Sequence, residues 1–321
     1  MAVVGWIVVV PLGIVALLRI VAWDDDFVLV FLNSVSVIVY LPAWIVAIAA
    51  GIGRRYVLTG AALLVVVAQL FFVLPEFAAS QPAPGWAASA PSIRLLDANV
   101  YFLNDTPMTG YVTQIKAYRP QLVTMEEATP TAVGNLKRSG ALAGLPFDFE
   151  VSRYDPRAFF IASKYRLSGS RVVSFDGLPL IVETALQLPS GAQPLWVVHT
   201  TAPVRSSFVE WKRELAFIAQ TVKERGPQRL LLVGDFNGTW GNKGFRSILS
   251  DGMTDGAAAR GRALDMTWSQ LYHPLPPFVR IDHVLTGPGV AVTTIRSDVG
   301  VGSDHRDLMA TVAFQRQSAL P

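Results

Sequence analysis

The sequence contains no cysteine, which excludes disulfides, thiolate zinc sites and a cysteine nucleophile. Charge is scarce: only 16% of the 321 residues are Asp, Glu, Lys or Arg, and histidine occurs four times. The shortage is uneven. The first 77 residues hold three Arg, no Lys and four acidic residues, leaving 24 basic and 20 acidic residues for the remainder. A surplus of four positive charges is not the basic stripe of a protein that grips duplex DNA mainly by its phosphates. No internal repeat is visible.

What the chain has instead is apolar length. A mean hydropathy of +0.39 is too high for an ordinary soluble enzyme, and the excess sits in the first 77 residues. Val3–Ala22, Phe27–Ile52 and Tyr56–Phe77 each contain enough apolar residues to cross the hydrocarbon core at about 1.5 Å per helical residue. A cleaved signal peptide fits the first run poorly, because a basic leader is missing and two further runs follow. Three transmembrane helices are therefore predicted. Arg54-Arg55 joins the second and third, and Asp24-Asp25-Asp26 the first and second. Lys and Arg favour the cytoplasmic side, which places the N-terminus inside and everything after Phe77 outside the cytoplasm. Arg19, near the outer end of the first run, argues mildly against that orientation.

Residues 78–91, rich in Pro, Ala and Ser, read as a linker without helical or strand period, able to reach about 20 Å as a coil. From Ser92 the pattern changes to short β-rich runs alternating with amphipathic stretches. Strands are predicted at 93–99, 122–127, 147–152, 158–163, 172–175, 180–188, 195–199, 229–235, 280–285 and 308–314. Helices are predicted at 109–119, 131–139 and 208–225. In the last, Phe208, Trp211, Leu215, Ile218 and Val222 recur on one face. This texture predicts a single α/β domain with two stacked sheets over residues 92–321.

Gly234-Asp235-Phe236-Asn237 ends the apolar run Arg229–Val233. An Asp and an Asn two residues apart at a strand end share one face of the sheet, where they can hold a hard cation or a phosphate oxygen. Other polar residues at predicted strand ends are Asn99, Glu127, His199, Asp282, Asp304 and His305. Each taken alone is most simply a turn former or helix cap. Together they are not, and three of the four histidines (His199, His283 and His305) fall at such places. His273, in Tyr272-His273-Pro274, reads as a surface-loop residue.

The set resembles the endonuclease/exonuclease/phosphatase superfamily, the fold of pancreatic-type deoxyribonuclease, abasic-site endonucleases, neutral sphingomyelinases and inositol-polyphosphate 5-phosphatases. The resemblance is carried by Leu95–Val100, Pro120–Glu127, Phe160–Leu167, His199–Pro203, Gly234–Asn237, Ile281–His283 and Ser303–His305, from about Ile93 to Phe314, and does not include the apolar segment. It implies a four-layer α/β/β/α sandwich and a metal-dependent phosphoesterase using Mg²⁺, with Mn²⁺ as a substitute. It implies Glu127 as metal ligand with Asn99 beside it, and Asp304 as a second metal-side carboxylate. Asp235 and Asn237 would position the attacking water and the phosphate, Asp282 would orient the catalytic imidazole of His305, and His199 would donate to the phosphate or the leaving oxygen. Glu126 stands where the family commonly has Gln. No sequence feature names a carboxylate supporting His199, and the basic or aromatic insertions of abasic-site enzymes are missing.

The expected function is a membrane-anchored, extracytoplasmic phosphoesterase acting on a phosphodiester, either nucleic acid or a phospholipid head group. Its partners would be that substrate and the bilayer, with no protein partner evident. A catalytically silent, membrane-anchored binding module of the same fold is the alternative. Transport by the apolar helices is less well supported, because Arg19 is their one intramembrane charge and lies near a helix end.

Overall fold

The computed structural model describes residues 2–103, 108–270 and 275–316; His273 lies outside them. The chain begins with α1 (Ala2–Val21), α2 (Phe27–Ser34), α3 (Ser36–Val39), α4 (Leu41–Ile52) and α5 (Tyr56–Ala78). Then come β1 (Ser92–Asn99), α6 (Thr109–Tyr118), β2 (Leu122–Glu126), α7 (Pro130–Arg138), β3 (Phe147–Val151) and β4 (Phe159–Ser163). A meander of β5 (Leu167–Phe175), β6 (Leu178–Leu188) and β7 (Gly191–His199) follows, then α8 (Phe208–Arg225), β8 (Leu231–Asp235) and α9 (Lys243–Ser250). The last elements are β9 (Thr254–Asp255), α10 (Gly256–Ala259), β10 (Asp282–Thr286), β11 (Val290–Val299) and β12 (Arg306–Phe314).

The strands form two six-stranded sheets, ordered β11-β12-β1-β2-β4-β3 and β5-β6-β7-β8-β10-β9. Strand alternation divides the apolar side chains between two faces. Leu95, Leu122, Ile161, Val197 and Val233 meet between the sheets. Leu96, Val123 and Phe160 pack outward against Tyr111, Ile115 and Val133 of α6 and α7. On the far side Trp196, Val198 and Leu232 pack against Trp211, Leu215 and Ile218 of α8. The result is the predicted α/β/β/α sandwich. In each sheet one parallel pair, β1–β2 or β7–β8, lies beside antiparallel neighbours, and these central strands end in Asn99, Glu126, His199 and Asp235.

β11 and α9 were not predicted. β11 is an edge strand with a bulge at Val292/Thr294, and its second half, Thr293–Val299, is largely exposed and polar, so it lacks an apolar rhythm. α9 is eight residues long and buries only Phe245 and Ile248.

The apolar segment departs from its expected form. α1 and α5 are long and apolar enough to cross a membrane; the second run is instead broken, with Phe27–Ser34 and Ser36–Ile52 meeting at 78°. At the break, backbone carbonyls find partners outside the helix. Thr239 Oγ1 donates to the Ser34 carbonyl, 3.3 Å, and the Asn33 carbonyl lies so close to Gly241 that a Cβ there would stand 1.7 Å from it. Irregular backbone next to an apolar segment is tolerated where protein covers it.

α2 is thus welded to the sandwich. Val30 is fully buried in the outer core beneath α8 and α9, a burial worth about 1.5–3 kcal/mol. Asp24 is buried as well and accepts from Asn33 Nδ2, 2.8 Å, and from the Lys243 amide at the start of α9, 2.6 Å. Asp26 caps α2 through Val28 N and Leu29 N. Two of the three aspartates read as an exterior loop are therefore helix caps. The 78–91 stretch is docked too. Gln81 N donates to the Ala259 carbonyl, 3.1 Å, a 3-10 turn occupies Gly85–Ala88, and Ala87 is buried against Ala291 and Ala313.

Candidate active site

The cleft lies where the ends of β1, β2, β7, β8 and β10 converge, an open space of about 560 Å³ lined by Glu127, His199, Asp235, Asn237, Asp304 and His305 among others. The Gly-Asp-Phe-Asn tetrad explains itself residue by residue. A Cβ on Gly234 would stand 2.2 Å from the Val198 carbonyl and 2.8 Å from Glu126 Oε1, and its φ of +123° is a conformation open to glycine. Asp235 points into the cleft, Phe236 into the outer core, and Asn237 back into the cleft.

Asp235 is the hub. Its Oδ1 accepts from Asn237 N, 2.7 Å. Its Oδ2 accepts from Asn99 Nδ2 and Asn237 Nδ2, both 3.1 Å, and lies 3.7 Å from the Nε2 atoms of both His199 and His305. Burial, and then the charge of its cross-strand neighbour Asp282, push the Asp235 pKa well above the carboxylate range. A raised carboxyl is a better proton acceptor near neutral pH.

Asp282 holds His305 by Nδ1, 3.0 and 3.1 Å to its two oxygens. Burial alone would lower the imidazole pKa, but Asp282, Asp235 and Asp304 outweigh it and raise it to about 10. His305 is an imidazolium with Nε2–H directed into the cleft. Ser303 anchors its loop, donating from Oγ to the Asn99 carbonyl at 2.6 Å and accepting from His305 N at 3.0 Å.

His199 is held differently from His305. Its Nδ1 donates to the Pro156 carbonyl, 2.7 Å. Burial, then the nearby Arg157 guanidinium, lower its pKa to about 3. It is therefore neutral, and Nε2 presents a lone pair, 3.5 Å from Glu127 Oε1. As it stands His199 accepts in the cleft, and its supporting group is a backbone carbonyl instead of a carboxylate.

Glu127 and Glu126 separate cleanly. Glu126 turns in between the sheets beside Asp97, and burial followed by the Asp97 charge raises its pKa well above normal. Asp97 itself, pushed to about 7 by burial, accepts from Thr124 Oγ1 at 2.5 Å. Glu127 follows the end of β2 in a left-handed conformation, φ +59°, which turns it into the cleft. There it accepts from Phe102 N, 2.9 Å, and Asn99 Nδ2, 3.1 Å. Asn99 lies beside Glu127 as expected, but its amide nitrogen bridges Glu127 and Asp235 while its oxygen accepts from Tyr101 N, 3.1 Å. In this orientation Asn99 donates to both carboxylates, and its oxygen faces the Tyr101 amide. Asp304 accepts from Trp268 Nε1 through Oδ2, 2.9 Å, while its buried Oδ1 accepts no hydrogen bond and lies 3.9 Å from His305 Nε2.

His283, next to Asp282, faces the other way. It stacks near Phe245 with ring centroids 4.1 Å apart and contacts Arg280 and Asp255, which belong to the junction with α5. Arg157 and Trp268 line the cleft although no motif singled them out. Arg157 is buried and bonded to Glu214, Thr201 and the His199 carbonyl. Both lie in loops without a strand or helix rhythm, Arg157 just before β4 and Trp268 between α10 and β10, so sequence offered no sign of them.

The donor set suits a hard cation. Glu127 and Asp304 Oδ1 are carboxylate oxygens of the kind a hard cation takes. Asp235, Asp282 and His305 also bring ligand atoms within 4.8 Å of one another, and within this group Asp282 is hydrogen-bonded to His305 Nδ1.

A model of the endonuclease/exonuclease/phosphatase family matches residues 98–305. The chain belongs to that family. It is accordingly a metal-dependent phosphoric ester hydrolase, and the matched span begins after the apolar helices. No curated protein matches the chain. Among solved structures, truncated TDP2 of Caenorhabditis elegans aligns with a TM-score of 0.58 at 16% identity, covering 69% of this chain and 97% of that one. The family member from Bacteroides thetaiotaomicron gives 0.56 at 15%, with 70% and 99% covered. The 3′-5′ exonuclease NExo of Neisseria meningitidis gives 0.55 at 17%, with 69% and 99% covered. At such identities the likeness is one of fold.

Proposed function

We propose that this chain is a membrane-anchored, Mg²⁺-dependent phosphodiesterase whose water nucleophile is activated by Asp235. The observation that carries the reading is the convergence on Asp235 Oδ2 of two amides and two imidazoles of opposite protonation. Asn237 and Asn99 hold the Asp235 carboxyl so that a water bonded to it faces the phosphate, and Asp235 takes its proton as it attacks in line. His305, charged and oriented by Asp282, hydrogen-bonds a phosphoryl oxygen and stabilises the growing negative charge. Neutral His199 accepts a hydrogen bond from water or substrate through Nε2. Glu127 and Asp304 would hold the cation, which would supply neutralisation of phosphate charge. A phosphate-ester substrate is supported by related folds: one TDP2 structure, from D. rerio, is complexed with a single-strand DNA product, and NExo is bound to a product DNA hairpin.

Anchoring is supported by α1 and α5, and the extracytoplasmic assignment by the arginine pair. The 23–26 turn and the end of α5 both contact the sandwich, so they belong to one side, while the exposed Arg54 and Arg55 belong to the other end of the helices.

The test uses the full chain in detergent, because α2 and Glu76 of α5 are part of the packed domain. Hydrolysis of bis-p-nitrophenyl phosphate is expected with Mg²⁺ or Mn²⁺, to vanish with EDTA, and to return on metal addition. Activity that survives EDTA, or that survives Asp235→Ala, sinks the assignment. A reporter fused after Phe77 that signals from the cytoplasm overturns the orientation.

A further inference from the structure

Beside the catalytic cleft lies a second cavity of about 210 Å³ that shares Ala202, Asn237 and Trp268 with it. One wall is Phe27, Val30, Phe31 and Val35 from α2 and the helix break; the opposite wall includes Val279 and Ile281. No charged residue is among the described residues that line it. Trp268 stands at the junction, its Nε1 tied to Asp304 and its ring against Phe278 at 5.5 Å. The phosphate-handling cleft therefore adjoins an apolar groove, and one wall of that groove comes from the N-terminal helices, outside the family domain.

We infer that this groove takes the hydrocarbon chain of a membrane lipid whose phosphate ester lies in the cleft. The inference rests on the phosphodiesterase reading above and names its substrate class. Four observations favour it. The groove adjoins the cleft at Asn237, which lines both and whose amide is bonded to Asp235. A volume of 210 Å³ falls below the roughly 300–1,000 Å³ of a pocket that encloses a whole small ligand, so it suits a segment of one. Its wall belongs to the same apolar run that bends by 78° into Ser36–Ile52, so a chain lying along α2 continues into the hydrocarbon that α4 would occupy. The charge pattern disfavours a polynucleotide, since a sugar–phosphate strand on this side would face Phe31 and Val35. Arg157, the one arginine or lysine among the described cleft residues, is already bonded to Glu214.

The experiment compares p-nitrophenyl alkyl phosphates, from the methyl to the dodecyl ester, hydrolysed by the full chain with Mg²⁺ in micelles of fixed composition. Over the first several carbons kcat/KM is expected to rise by up to about fourfold per methylene, then level off when the groove is full. Phe31→Gln, at a half-exposed position that tolerates substitution, is expected to lower the dodecyl-to-methyl ratio about tenfold. A flat chain-length profile with the methyl ester still hydrolysed overturns the groove alone, whereas no hydrolysis of any ester overturns the phosphodiesterase reading with it. A single-stranded oligonucleotide cleaved with higher kcat/KM than the dodecyl ester assigns the cleft to nucleic acid and also overturns the inference. A readout without turnover is photolabelling by dodecyl phosphate carrying a terminal diazirine. Adducts within 27–35 or 278–281, competed by plain dodecyl phosphate, support the groove; adducts confined to α1 and α5 overturn it.

Discussion

Two buried Asp–His pairs lie back to back across β10. Asp282 faces the cleft and holds His305; the next residue, His283, faces the helical side and meets Asp255. Their protonation differs. His305 is surrounded by carboxylates, and its pKa climbs to about 10. For His283, burial lowers the pKa, and although Asp255 raises it, Arg280 lowers it again. Arg280 lies 2.7 Å from Asp255 and donates to His283 Nδ1 at 2.9 Å, leaving Nε2–H for the Gly238 carbonyl at 2.9 Å. Its other arm reaches Glu76 at the end of α5. One arginine thus separates an Asp–His pair that stabilises a junction from one equipped to handle phosphate charge.

The hardest test of that contrast is to remove each imidazole. His305→Ala is expected to lower kcat about 10³- to 10⁴-fold and, because it strands Asp282 and Asp235, to lower the melting temperature as well. His283→Ala should lower the melting temperature while leaving kcat within about tenfold. Similar losses of kcat in both variants would erase the distinction.

Next in size is Arg280→Met, which strands Glu76 and Asp255 and should cost about 3–5 kcal/mol, read by denaturation of the detergent-solubilised chain. It should also raise the His283 pKa, seen by NMR of the labelled imidazole, making this pair resemble the catalytic one. An unchanged titration would show that Arg280 does not set it.

Asp282→Asn probes the other side. His305 needs its proton, so activity is held below its folded pKa and lost as pH rises through about 10; its contribution to stability, likewise, is complete below the unfolded value near 6.5 and is lost through the same high range. Removing the leading carboxylate lowers that pKa, and the alkaline limb of the rate profile should move to lower pH, with a rate loss of about 10²-fold.

The smallest effect concerns Glu126, whose folded pKa is raised. A raised carboxyl disfavours the folded state increasingly as pH climbs above its unfolded value near 4.5. Glu126→Gln should therefore raise the melting temperature at neutral pH by about 2–4 °C and flatten its pH dependence. A fall would mean that the carboxylate has a partner in solution.

Much of the cleft was legible in sequence because its residues terminate strands with a clear rhythm. Asp235 and Asn237 share a face through the two-residue period, and Phe236 between them goes to the core. Glu127 could be preferred to Glu126, although the left-handed turn that aims it was not visible. The tautomer of His199 was not legible, since it depends on the Pro156 carbonyl 43 residues away. The amide orientation of Asn99 was hidden for the same reason, being set by Tyr101, Glu127 and Asp235 together. His283 shared a motif with Asp282 yet alternation sent it to the opposite face.

Local sequence by itself determined where apolar runs, strands and the polar strand ends occur, because hydrophobic period and turn chemistry act over a few residues. It could not determine that the second apolar run breaks. Nothing in Asn33–Ser36 forbids a continuous helix; the break is stable because Thr239 and Gly241, some 200 residues later, cover its backbone. The charge state of each buried imidazole was also decided by tertiary structure, since in a low-dielectric interior the sum of neighbouring charges, brought from distant segments, outweighs the identity of the residue itself.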